Sequence, residues 1–122
     1  RFDVRLSGRQ AALRLVEWSM NARSRLTGIA TGDQGIFVTR DLFTASGGYP
    51  EIALMEDIEL SRRLKRYRRP CCISRPLETS SRRWERRGVY RTIAEMWALR
   101  LAYFFGADPA RLAARYRSGG PP

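Results

Sequence analysis

The sequence predicts an α/β fold from a strand pattern at its start, helical patterns after it, and enough apolar residues for a core. Its 122 residues include 43% apolar and 11% aromatic side chains, which argues against intrinsic disorder and indicates one small domain. Phe2, Val4 and Leu6 alternate with polar residues, as on one face of a strand. Leu13 and Val16 then repeat at helical spacing.

The first predicted strand begins at the terminus itself, at Arg1 and Phe2. We therefore expect further strands of the same sheet to lie upstream of this sequence. The alternative is that residues 2–6 form an edge strand of a small α+β domain.

The other predicted elements follow in the order helix, strand, turn, helix, strand, helix, helix. Their ranges are 9–23, 35–38, 40–43, 55–67, 71–73, 89–105 and a short segment from 108. Residues 24–34 are polar and predict a loop, and the paired glycines in 46–50 indicate a second loop, since glycine allows positive φ. Pro70 ends the helix before it because proline cannot continue one.

Charge is concentrated in one part of the chain. The net charge is +11, and 22 of the 23 basic residues are arginine. Residues 60–91 contain 12 basic and 2 acidic residues, a net of +10, which favours an anionic partner.

Two residue types exclude whole classes of site. The sequence has no histidine, which excludes a Ser-His-Asp or Cys-His catalytic unit and a histidine-ligated metal. Its two cysteines, Cys71 and Cys72, are adjacent and cannot supply a disulfide framework.

The segment 89–105 is apolar almost all the way round a helix. It carries three charges, Arg91, Glu95 and Arg100, which argue against a membrane span. We expect a helix packed on both sides, with Arg100 paired to a carboxylate. An interfacial helix, or one with a face covered by a partner, is the alternative.

Three acids, Glu56, Asp57 and Glu59, open the predicted helix 55–67. A helix N-terminus favours carboxylates, so capping is one interpretation. Glu56 and Asp57 project in different directions, so one of them could instead act as a general base on a hydroxyl group. The sequence leaves both interpretations open.

Residues 30–70 resemble family 2 glycosyltransferases with the GT-A fold. The similarity rests on a strand with a basic end, a "GGF-x-E" loop and an "ED-x-x-L-x-x-R" helix, in this order and spacing. The matching segments are 35–40 (GIFVTR), 47–51 (GGYPE) and 56–64 (EDIELSRRL). The resemblance implies the C-terminal part of a Rossmann-like nucleotide-diphospho-sugar transferase fold, with a mixed sheet and flanking helices.

The resemblance also implies roles for these residues. Asp57 would be the base that deprotonates the acceptor hydroxyl, with Glu56 in support. Segment 80–84 (SSRRW) is similar to the "Q-x-x-R-W" signature, with Ser80 in place of glutamine. Donor diphosphate and acceptor sugar contacts are then expected from Arg82, Arg83, Trp84, Gly32, Asp33, Gln34 and Gly48. Four features together are similar to a bacterial subgroup associated with arsenosugar biosynthesis: the segment 32–34 (GDQ), the helix that begins with 55–57 (MED), the run 82–84 (RRW) and the helix that contains Met96 and Trp97.

The family's D-x-D pair, which carries Mg²⁺ or Mn²⁺ under the donor diphosphate, does not occur in this sequence. We therefore expect the metal only in a complete enzyme and no metal site in this chain. Residues 1–88 would form the acceptor-side half of the transferase domain, 89–117 a helical extension and 118–122 a disordered tail. The expected partners are a nucleotide-sugar donor and a hydroxyl acceptor, in the cytoplasm or at the cytoplasmic face of the membrane. An isolated half is expected to be inactive and to self-associate.

The main alternative is a small basic module that binds nucleic acid or an anionic membrane surface. Aromatic residues interleave with the arginines of 60–91. No helix-turn-helix, RRM, KH or zinc-finger pattern is present, and this interpretation leaves the acid cluster unexplained. Nucleic acid is therefore the less favoured partner.

Overall fold

The computed structural model describes residues 1–118, which form a mixed α/β arrangement of two strands and six α-helices. In chain order these are β1 (Phe2–Leu6), α1 (Ala11–Thr27), a 3-10 turn (Gly32–Gln34), α2 (Arg40–Ala45), α3 (Glu56–Lys65), β2 (Ile73–Thr79), α4 (Arg82–Arg87), α5 (Val89–Phe104) and α6 (Pro109–Ser118). The predicted α/β class is confirmed. Apart from Ser118, which ends α6, the predicted disordered tail lies outside the described residues.

The two strands pair in parallel and join the start of the chain to its later half. Val4 lies opposite Leu77 and Leu6 opposite Thr79, and a bulge shifts the register between Phe2 and Asp3. A parallel pair needs a long crossover, which here contains α1, the 3-10 turn, α2 and α3.

The main core lies between β1 and α1. Its buried members are all apolar and come from β1, α1 and the first residue of α5: Val4, Leu6, Leu13, Val16, Met20 and Val89. The helical spacing of Leu13, Val16 and Met20 therefore places one face of α1 against the sheet, as the sequence predicts. Trp84 and Ile93 pack against the edge of this core.

The predicted strand at 35–38 is wrong. Gly35 ends the 3-10 turn with a φ of +60°, and residues 35–39 pair with no strand among the described residues. Phe37 instead packs its ring against Phe2, with the ring centroids 5.4 Å apart. An apolar run becomes a strand only where another strand offers it backbone hydrogen bonds, and this segment contacts β1 through side chains without pairing with it.

The predicted strand at 71–73 is real but displaced. It begins at Ile73 and runs to Thr79, through Pro76, which has no N–H to donate. Proline is tolerated on edge strands, and β2 has one neighbour, β1, in the described part of the chain. The short helix α4 at 82–87 was not predicted.

Helix α5 is packed on one side only, contrary to the expectation from sequence. Val89, Thr92 and Leu99 are buried, whereas Trp97 is 56% exposed and Phe104 72% exposed. The predicted pairing of Arg100 with a carboxylate is also wrong, because Arg100 forms no ion pair within residues 1–118. Within this same range, no helix combines the length and the apolar character that crossing a bilayer would require.

An ion-pair cluster joins β1 to α1. Arg1 and Arg25 both donate hydrogen bonds to Asp3, and the Arg25 Nη2 lies 2.7 Å from the Asp3 Oδ2. Burial alone would raise the pKa of Asp3, but the hydrogen bonds from Arg1 and Arg25 outweigh it and lower the pKa below its ordinary value of 3.8.

We expect this cluster to make stability depend on pH. A carboxyl group with a lowered pKa stabilises the fold above its ordinary pKa, and this contribution is lost as the pH falls through the lowered value. Asp3→Asn should cost about 1–3 kcal/mol at pH 7, and the difference from wild type should shrink below about pH 3.8. Urea unfolding at pH 7 and pH 2.5 measures it. Asp41→Asn, on the exposed side of α2, is the control, and a pH-independent difference would contradict the prediction.

Candidate functional site

A cleft of about 250 Å³ forms where the 3-10 turn, the start of α3, α4 and the two C-terminal helices meet. Five of the nine residues that the sequence nominates line it: Gly32, Asp33, Glu56, Asp57 and Arg83. They come from three separate segments of the chain. The cleft is therefore a product of tertiary packing.

Asp57 lies in the first turn of α3 and is half-buried. Its Oδ2 accepts the Gly32 N–H at 2.9 Å, and its Oδ1 accepts the Ile58 N–H at 2.7 Å. These bonds orient the carboxylate and tie α3 to the 3-10 turn. A carboxylate has about four acceptor positions, so two backbone bonds leave it able to accept a proton or a hydroxyl. Asp57 can therefore accept an N–H at the start of α3 and still act as a base.

The acid cluster divides between two sides of α3. Glu56 is exposed at the cleft beside Asp57. Glu59 instead forms ion pairs with Arg62 and Arg63, at 3.8 Å and 3.6 Å. Glu56 and Asp57 thus line one cleft, whereas Glu59 does not line it.

Met55, immediately before α3, has an unusual backbone. Its φ is +68°, a left-handed value that costs a residue other than glycine about 1–3 kcal/mol. The side chain is buried with Leu99 and Leu112, and this packing holds the backbone in place. Met55 therefore helps to fix the direction in which α3 begins beside the cleft. No pattern in the sequence predicts this role.

Arg83 brings positive charge to the cleft from α4. Its guanidinium lies over the ring of Tyr116, 4.5 Å from the ring centroid, a stabilising cation–π geometry. Tyr116 comes from α6, so the C-terminal helices contribute directly to the candidate site.

The charges of the cleft act on one another. The pKa of Asp33 is raised, first by burial of its carboxyl group and then by the negative charge of Asp57, while Arg83 acts in the opposite direction. Carboxylates that can take up a proton thus lie beside a guanidinium that can bind an anionic oxygen.

Trp84 and Arg82 lie outside the cleft. Trp84 packs against the core and lines a neighbouring cavity of about 380 Å³ that also contains Asp33. Arg82 is exposed, and its Nε donates to the Ser80 Oγ at 3.2 Å. Of the two adjacent arginines nominated by the sequence, only Arg83 faces the cleft.

Gln34 and Gly48 also lie outside the cleft, and both form hydrogen bonds within the fold. Gln34 is 0% exposed, and its side chain accepts the Thr31 N–H and donates to Asn21. Gly48 follows α2 and has a φ of +64°. Its N–H donates a hydrogen bond to the carbonyl of Phe43, which lies within α2. Neither residue lines the cleft.

Potential metal ligands do not cluster among the described residues. No group of three or more potential ligands is found within residues 1–118. Mg²⁺ and Mn²⁺ need several oxygen ligands, whereas the cleft offers carboxylates beside a guanidinium and two backbone N–H donors.

Arg23 was not identified from the sequence as a candidate site residue, and Arg100 was wrongly predicted to pair with a carboxylate. Arg100 lines the cleft from α5, and Arg23 lines two adjoining cavities from α1. Arg23 lies three residues after Met20 and seven after Val16, so it continues the apolar stripe of α1. A charged residue at such a position is the signal that could have identified it.

Comparisons with known proteins found no match for this chain among protein-family models, curated proteins or solved structures. Any functional assignment therefore rests on the motifs and on the geometry of the cleft.

Proposed function

We propose that this chain is the acceptor-side half of a family 2 glycosyltransferase with the GT-A fold. Such an enzyme transfers a sugar from a nucleotide-activated donor to an acceptor hydroxyl. The observation that carries the proposal is the convergence of Asp57, Glu56, Asp33 and Arg83 on one cleft. The resemblance implies roles for these four residues, which come from three separate segments of the chain.

In the proposed reaction Asp57 acts as the general base. It takes the proton of the acceptor hydroxyl as that oxygen forms a bond to the anomeric carbon of the sugar. The bond from the anomeric carbon to the donor diphosphate breaks in the same step, and the nucleoside diphosphate leaves with the electron pair. A single base and a direct displacement give inversion at the anomeric carbon.

The other residues of the cleft orient the reactants. Arg83, held over Tyr116, can bind an oxygen of the leaving diphosphate, where negative charge develops. The Gly32 N–H fixes the Asp57 carboxylate, and Glu56 is free at the surface to position the acceptor.

A peripheral contact with the cytoplasmic face of a membrane is compatible with this proposal. Trp97, Leu101, Phe104 and Phe105 expose apolar surface along and just beyond α5, and arginines are abundant nearby in sequence. Aromatic and basic side chains together favour an anionic lipid surface.

The adjacent arginines of α4 provide a matched test. In the polypeptide that contains this chain, Arg83→Gln should raise the KM for the nucleotide-sugar or lower kcat/KM by about 10- to 100-fold, the value of a charged hydrogen bond. Arg82→Gln removes the same charge one residue away and should change kcat/KM less than about threefold. Nucleoside diphosphate release from a panel of nucleotide-sugars is the assay. Equal effects of the two substitutions would contradict the assignment of Arg83, and no turnover of any donor by the wild type would contradict the proposed function.

A further inference from the structure

A second and larger cavity lies between α1, α3 and α5. Its volume is about 790 Å³, against about 250 Å³ for the cleft at Asp57. The two cavities share Thr31, Ile58 and Arg100 but no carboxylate. The glycosyltransferase proposal assigns nothing to the larger one.

Arg23 and Arg100 line this cavity, and both side chains are half-buried. Their inner atoms, the Nε and Nη2 of Arg23 and the Nε of Arg100, are shielded from solvent and have no hydrogen-bond partner within residues 1–118. Leaving such N–H groups unsatisfied is unfavourable. Burial lowers the pKa of Arg23, although the charge of Asp57 acts in the opposite direction.

The rest of the cavity is also positive. Arg62, Lys65 and Arg66 lie around it. Its one carboxylate, Glu59, is already paired with Arg62 and with Arg63 and accepts a hydrogen bond from the Tyr103 hydroxyl at 3.5 Å. Among the described residues, the wall of this cavity therefore has no unpaired carboxylate, and the negative charge that acts on Arg23 is that of Asp57 in the neighbouring cleft.

We propose that this cavity binds the phosphate group of a phosphorylated ligand, held by Arg23 and Arg100. Guanidinium groups bind phosphate through paired N–H donors, and five basic side chains line the cavity beside one carboxylate that is already paired. Ile29, Ile58 and Phe104 supply apolar walls for an organic part of the ligand. Asp57 and Arg83 do not line this cavity, although it shares Arg100 with the cleft that contains them.

Binding by this 122-residue chain tests the proposal directly. The probes are inorganic phosphate and hexyl phosphate in solution, and vesicles of phosphatidylcholine with or without phosphatidic acid. The variants are Arg23→Met and Arg100→Gln. Arg91→Gln, at an exposed position on α5, is the control with the same change in charge. We expect each cavity variant to weaken binding at least tenfold and the control to weaken it less than twofold.

The probes also separate two sources of the phosphate. Arginine-dependent binding of dissolved phosphate or hexyl phosphate indicates a free phosphorylated ligand. Arginine-dependent binding confined to phosphatidic acid vesicles indicates a lipid headgroup. Binding that falls equally in Arg91→Gln, or that is absent with every probe, overturns the proposal.

Thermal unfolding without ligand gives a second readout. A structural arginine would lower the Tm when removed, whereas removal of an unpaired buried charge should raise it by a few degrees. Arg23→Met should also abolish the increase in Tm that phosphate produces in the wild type. If Arg23→Met does not fold, the structural role is favoured and the proposal fails for Arg23. Arg23→Lys, which keeps the charge but lacks the planar fork, then checks that outcome by its phosphate affinity.

Discussion

Replacing Asp57 with asparagine is expected to lower sugar transfer at least about 100-fold, the loss associated with a general base. The amide oxygen of asparagine can still accept the Gly32 N–H or the Ile58 N–H, which the carboxylate accepts in the wild type. The start of α3 should therefore keep its position while the proton acceptor is lost. The measurement is kcat for nucleoside diphosphate release by the polypeptide that contains this chain.

Two controls make the Asp57 result interpretable. Asp41→Asn, at an exposed position on α2 away from the cleft, should retain kcat within about twofold. The circular dichroism spectrum of Asp57→Asn should match that of the wild type, with a modest fall in Tm because the amide accepts only one of the two backbone N–H groups. Near-normal turnover by Asp57→Asn would show that another group accepts the proton, or that no base is required.

Replacing Leu13 with alanine is expected to have the largest effect on stability, a loss of about 2–5 kcal/mol. Leu13 is 0% exposed and belongs to the cluster that packs α1 against β1. A domain of this size has a total stability of about 5–15 kcal/mol, so the variant should lose a large fraction of it and unfold at a clearly lower urea concentration. Urea unfolding followed by tryptophan fluorescence measures the change in the free energy of unfolding.

Leu15 provides the matched control on the same helix. It is 61% exposed, so Leu15→Ala makes the same chemical change without opening a buried cavity. Its expected effect is within about 0.5 kcal/mol. Equal losses for Leu13→Ala and Leu15→Ala would mean that α1 does not pack on the sheet through the face containing Leu13.

The helices could be predicted because their signals are local. Leu13, Val16 and Met20 recur at helical spacing, and the helix that contains them is α1. The acids before Leu60 likewise mark the start of α3, which begins at Glu56. Periodicity of this kind is a property of a few consecutive turns and needs no knowledge of the rest of the fold.

Strand pairing and side-chain pairing could not be predicted in the same way. Ile36, Phe37 and Val38 have the composition of a strand, but no described strand pairs with them. Arg100 forms no ion pair with a carboxylate within residues 1–118, and its environment depends on how α5 packs. Both predictions failed because they required knowledge of a distant segment.

The sequence by itself determined the α/β class, the positions of the main helices and the nomination of Asp57, Glu56 and Arg83. Only the tertiary structure decided that these residues meet at one cleft, that Arg82 and Gln34 stand outside it, and that Tyr116 supports Arg83. The physical reason is the distance along the chain between the residues that must interact. A helical face is set by neighbours three or four residues apart, whereas a site is set by the packing of elements that are distant along the chain.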